Sequence, residues 1–102
     1  MFQARQGDLF FEEIKDLPQN VKPKKNLILA YGEVTGHMHK LSGSKHIKVF
    51  EDEEASYFNG VGVTVVHDEH SEIAFPENKW IKVTKQREYD PLSVERERKV
   101  AD

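Results

Sequence analysis

Ala55-Ser56-Tyr57-Phe58-Asn59-Gly60-Val61-Gly62-Val63-Thr64-Val65-Val66 is the stretch on which the fold class turns. Two β-prone runs flank Asn59-Gly60. Asn-Gly is the strongest short hairpin signal, because a type I′ turn needs φ > 0 at both central positions. The spacing therefore predicts a hairpin here. Outward from it the period-2 pattern recurs. Upstream, Ile47 and Val49 alternate with His46, Lys48 and Phe50, and Leu27-Ile28-Leu29-Ala30-Tyr31 reads as a strand buried on both faces. Asp8 to Ile14 is an apolar-rich stretch opened by Gly7, followed by a proline-punctuated loop from Asp16 to Asn26. Downstream, Glu72-Ile73-Ala74-Phe75 and Trp80-Ile81-Lys82-Val83-Thr84 suggest a second hairpin around Pro76-Glu77-Asn78-Lys79.

These segments amount to roughly six or seven short strands with no helix among them. The expectation is an all-β, single-domain barrel or sandwich spanning residues 1–92, with a polar C-terminal tail over 93–102. Within the tail, Glu95 and Lys99 are spaced to pair on a helix, but Val94 and Val100 make no apolar stripe.

Composition narrows the class without naming a reaction. A chain of 102 residues supports one domain and one core. With 15 Lys plus Arg against 18 Asp plus Glu, the net charge is −3, which disfavours a protein that wraps nucleic acid. The run Glu51-Asp52-Glu53-Glu54 reads as a solvated turn, with a cation site as the lesser alternative. No stretch approaches the roughly 20 apolar residues that span a membrane, and the first residues show no leader-like apolar region. The chain has no Cys, which excludes disulfides, thiolate zinc sites and a cysteine nucleophile. A cytoplasmic location is expected.

The chemistry concentrates in the histidines. Of five, four fall in two tight groups, Gly36-His37-Met38-His39 and His67-Asp68-Glu69-His70. His37 and His39 are two apart, so on a strand both imidazoles share a face. His67 and His70 converge only if the chain turns between them, as the polar Asp68-Glu69 invites. The two groups could then meet at one end of the barrel. Neutral imidazoles on one face suit Zn, Fe, Mn, Ni or Cu, making His37, His39, His67 and His70 candidate metal ligands. Asp68 and Glu69 could orient a ligating ring, and Glu69 could instead act as general base on a metal-bound water. A hydrogen-bonded polar cluster at a non-metal ligand site, or chance clustering, are the competing readings.

Other features carry less. His46 beside Lys45 reads as a surface residue, and Ser42-Gly43-Ser44 as a turn whose serines have no evident base partner. Gly60-Val61-Gly62 is not a phosphate loop, since no helix follows it. In Gln86-Arg87-Glu88-Tyr89-Asp90-Pro91, Arg87 could clamp a carboxylate or phosphate with Tyr89 beside it. The competing reading pairs Arg87 with Glu88 or Asp90.

Four stretches carry a resemblance: Ala4-Arg5-Gln6-Gly7-Asp8, Gly32-Glu33-Val34-Thr35-Gly36-His37-Met38-His39, His67-Asp68-Glu69-His70 and Gln86-Arg87-Glu88-Tyr89-Asp90-Pro91. Together they resemble a family of small bacterial and phage-borne proteins of unassigned function. That resemblance implies one recurring site built from the histidines and the Arg-Glu-Tyr segment. The His-x-His pair is loosely similar to the cupin metal site. However, the position five after His39, where a cupin carries Glu, is Ser44. Gly7-Asp8-Leu9-Phe10-Phe11 and Gly32-Glu33-Val34 are similar in rhythm to the co-chaperonin barrel, a likeness without functional residues.

Two functions stand on these readings. The first is a metal-binding β-barrel whose open coordination position supports hydrolysis or oxygen chemistry on a small polar substrate. The second is a non-catalytic phage or bacterial module that engages a host protein or a small ligand, with homo-oligomers as a further option. Whether the chain is an enzyme is left open by its residues.

Overall fold

The computed structural model describes residues 1–31, 38–43 and 46–85. Among them every regular element is a strand: β1 (Gln3–Gln6), β2 (Leu9–Ile14), β3 (Lys22–Pro23), β4 (Ile28–Tyr31), β5 (Met38–Ser42), β6 (Lys48–Glu51), β7 (Ser56–Asn59), β8 (Thr64–His67), β9 (His70–Ala74) and β10 (Trp80–Lys85). The all-β class is as expected. The strands form two antiparallel sheets, ordered β1-β2-β10-β7-β6-β3 and β4-β5-β8-β9.

Alternation explains which face each strand buries. On β2, Leu9 and Phe11 point inward, and on β10 Ile81 and Val83 do the same, matched across the register as Val83↔Phe11 and Ile81↔Phe58. Leu41 of β5 and Val65 of β8 face them from the smaller sheet, so one core lies between the two sheets. At its centre three rings meet: Phe11–Phe75 at 5.0 Å, Phe58–Phe75 at 4.8 Å and Phe11–Phe58 at 6.5 Å between centroids.

Both hairpins expected from turn chemistry are absent, for one reason. β7 pairs with β6 and β10, whereas β8 pairs with β5 and β9, so Asn59-Gly60 carries the chain from one sheet to the other. Here Gly60 is buried, and its carbonyl accepts the Asn78 amide at 2.9 Å. Asn78 belongs to the second supposed hairpin loop, which is likewise a passage, from β9 back to β10. The two passages are therefore bonded to each other, and the Phe75 amide adds a bond to the Val63 carbonyl at 3.0 Å. β4 is also not buried on both faces: it is the edge of its sheet, and Ile28, Leu29 and Ala30 are half-buried.

Consecutive strands are joined by tight turns at Gly7-Asp8, at the acidic run and at Asp68-Glu69, which link β1–β2, β6–β7 and β8–β9, and β4 pairs antiparallel with β5. In the acidic turn Asp52 accepts the amides of Glu54 and Ala55 and the Tyr57 hydroxyl, each at 2.8 Å. Those bonds, the Glu54 amide foremost, hold its carboxyl below the usual range, and burial pushes the Tyr57 phenol up to about 12. This carboxylate has a structural role. The 93–102 tail lies outside the described residues.

Candidate functional site

Three of the four candidate histidines lie together where β1, β5 and the β8–β9 hairpin adjoin. β5 carries His39 inward, where it is 2% exposed, and Gln6 is the other buried polar side chain among the described residues. The Asp68-Glu69 turn sets His67 opposite His70 across the β8–β9 register, which is how residues three apart come to face one another. Ring centroids are 4.4 Å apart for His39–His67, 4.5 Å for His67–His70 and 6.0 Å for His39–His70. His37, Arg87 and Tyr89 lie outside the described residues.

Hydrogen bonds determine what each ring offers. Buried Gln6 of β1 donates through Nε2 to the Ser71 carbonyl at 2.8 Å and to the Val65 carbonyl at 3.4 Å. Carbonyls only accept, so the amide cannot be reversed, and its Oε1 must face His39 Nδ1 at 2.8 Å. His39 therefore carries its proton on Nδ1 and holds an unprotonated Nε2. That nitrogen lies 3.8 Å from Asp8 Oδ1, while Lys85 Nζ lies 3.8 Å from Asp8 Oδ2. Burial, reinforced by His67, lowers the His39 pKa to about 4, even with Asp8 pulling the other way. A neutral imidazole lone pair thus faces a carboxylate oxygen.

His67 has the opposite polarity. Its Nδ1 accepts the Glu69 backbone amide at 3.0 Å, so the neutral ring carries hydrogen on Nε2. The Asp68-Glu69 turn thus orients His67 through a main-chain N–H, and the group orienting His39 is Gln6. Glu69, the candidate general base, is exposed in that turn.

Gly7 completes the wall. It occupies the left-handed region at φ 60°, and a Cβ there would sit 3.0 Å from His70 Nε2, 3.3 Å from His39 Cε1 and 3.5 Å from His39 Nε2. The Nε2 atoms of His39 and His70 therefore converge on one small volume that only glycine leaves open. Gly7→Ala should lose roughly 1–2 kcal/mol from the backbone conformation alone. Urea unfolding reads this, and an unchanged midpoint would mean that the turn relaxes at no cost.

Among the described residues, no group of three or more His, Cys, Asp or Glu side chains is placed so that it could hold a metal ion. Gln6, Gly7 and Asp8 were the site residues not assigned a role from their chemistry in the sequence. The signal that reaches them is Ala4-Arg5-Gln6-Gly7-Asp8, where a tight turn sits beside two polar side chains. A family model described as a domain of unknown function (DUF8820) matches residues 5–86. No curated protein and no solved structure matches the chain.

Proposed function

This chain belongs to the DUF8820 family, whose description assigns no reaction, and from its own residues we propose that it is a metal-binding β protein with His39, His70 and Asp8 as ligands. The observation that carries this reading is the contact between His39 Nε2 and Asp8 Oδ1, two acceptors facing each other at 3.8 Å. A divalent cation between them satisfies both. A proton is the other solution, and burial of His39 works against it.

The remaining features fit that role. A ligating imidazole ordinarily donates its second N–H to an acceptor that fixes the tautomer and raises its basicity, as His39 does to Gln6. His39 is buried and hydrogen-bonded to Gln6, whereas His70 is exposed and Asp8 partly so, leaving both side chains room to close onto an ion. Two imidazoles and a carboxylate suit Fe(II), Mn(II) or Zn(II), and leave positions for water and a small polar substrate. Hydrolysis and oxygen chemistry both follow from such a set, and His37 is a further candidate ligand by sequence. The rival reading keeps the histidines as a hydrogen-bonding surface of a non-catalytic binding module.

Metal content by mass spectrometry on untagged protein, purified without chelator or nickel resin, decides between them. The expected result is about one transition-metal ion per chain, lost in His39→Ala/His70→Ala. A metal-free protein that takes up none of these ions in titration would overturn the reading in favour of the binding module.

A further inference from the structure

We propose that the seam between β1 and β9 is a gate to His39, and that Gln6 is its latch, coupling closure of the seam to the orientation of the imidazole. β1 and β9 lie side by side but belong to different sheets, and among the described residues no main-chain hydrogen bond joins them. A continuous ladder resists opening along its whole length, whereas a seam of side chains opens when a few contacts yield. Gln6 reaches from β1 across this seam. Its Nε2 donates to the Ser71 carbonyl of β9 at 2.8 Å and to the Val65 carbonyl of β8 at 3.4 Å. Its Oε1 accepts from His39 Nδ1 on β5 at 2.8 Å. One side chain thus ties three strands of the smaller sheet to the edge of the larger.

Burial gives the gate its purpose, and β9 gives it a leaf that can move. His39 is 2% exposed, so its ring has almost no contact with solvent while the seam is shut. On β9, four of five residues are exposed and Ile73 alone is half-buried, so little packing holds the strand down. Its ladder to β8 is irregular between Val65 and His67, which loosens the His70–Ser71 end. β1 is the steadier side, since Phe2 packs on Phe75 at 5.4 Å and Gln6 pairs with the buried Leu9. When β9 swings out, Gln6 loses its bond to Ser71, and with it the constraint that turns Oε1 toward His39. An occupant held by His39 Nε2 is held in the closed arrangement, so occupancy and closure favour each other. This linkage applies to any occupant and does not rest on the metal reading.

The test uses the full chain in EDTA near neutral pH, with diethyl pyrocarbonate, which acylates neutral imidazole, as the probe. Peptide mass spectrometry reads each histidine. In the wild type, His39 should react far more slowly than exposed His70. Its rate should be nearly independent of urea below the unfolding transition, since a local opening exposes little surface. Gln6→Met keeps the length of the side chain and removes its bonds. It should speed acylation of His39 roughly ten- to a hundredfold, as loss of two hydrogen bonds predicts. The β10 amides, paired on both sides, should stay protected from exchange in that variant. If the wild-type His39 rate climbs with urea in step with exchange of the β10 amides, only global unfolding reaches the ring and the proposal fails. It fails equally if His39 reacts as fast as His70, or if Gln6→Met leaves the rate unchanged. The urea series needs no variant, so it decides even where Gln6→Met does not fold. Metal content is measured separately and bears on none of these outcomes.

Discussion

Replacing Phe11 with alanine is expected to cost about 3–5 kcal/mol, the largest loss foreseen for any single side chain here. Phe11 is fully buried on β2, 5.0 Å from the Phe75 ring and 6.5 Å from that of Phe58. Its strand neighbours β1 and β10, and its register partners Ala4 and Val83 tie it to both. Phe75 lies on the passage between sheets, so the cavity would open where the two sheets are joined. Small domains are stable by only about 5–15 kcal/mol, and the variant should be at least partly unfolded in urea that leaves the parent intact. A loss below about 1.5 kcal/mol would show that the three rings repack around the gap.

Acid is expected to produce the second large effect in the metal-free protein. His39 has a pKa near 4 when folded and 6.5 as the reference value, chiefly because burial disfavours the imidazolium. Between those values the unfolded chain binds more protons at this position, so stability falls as pH drops through 6.5 and the loss levels off below about 4. The difference corresponds to up to about 3 kcal/mol. The groups facing His39 are His67, His70, Asp8 and Lys85. Of these only Asp8 favours the charged form. Denaturant unfolding in EDTA at steps between pH 7 and pH 4 measures the slope. His39→Gln, which has no titrating group, should flatten it. An equal slope in that variant would place the sensitivity elsewhere. Asp52 contributes separately: its carboxyl is held below 3.8, and its contribution is lost only in stronger acid.

Local patterning made the strands legible. Alternation in Leu9–Ile14 and Trp80–Lys85 reports their inward faces, since a half-buried strand must repeat every two residues. The partner of each strand was another matter. Asn59-Gly60 has the composition of a tight hairpin, yet Gly60 is used for a buried passage bonded to Asn78, a contact no local window contains. The apolar run in β4 was misleading because hydrophobicity reports burial near an element and not its rank within a sheet. In the candidate site, His67 and His70 were legible because a turn of two polar residues suffices to pair them. Gln6 and Asp8 were not, since their relation to His39 depends on how the first hairpin lies against the other sheet.

The order β1-β2-β10-β7-β6-β3 has a consequence for synthesis. β10 is the last described strand, yet it is central in its sheet, pairing with β2 on one side and β7 on the other. Without Trp80–Lys85 the larger sheet is two separate pieces, the β1–β2 hairpin and the three-stranded β7-β6-β3 ladder. Translation delivers this keystone after every other described strand, so the edges of β2 and β7 that it covers stay open until Trp80–Lys85 is made. Pairing so distant in sequence belongs to the slow-folding, high-contact-order class.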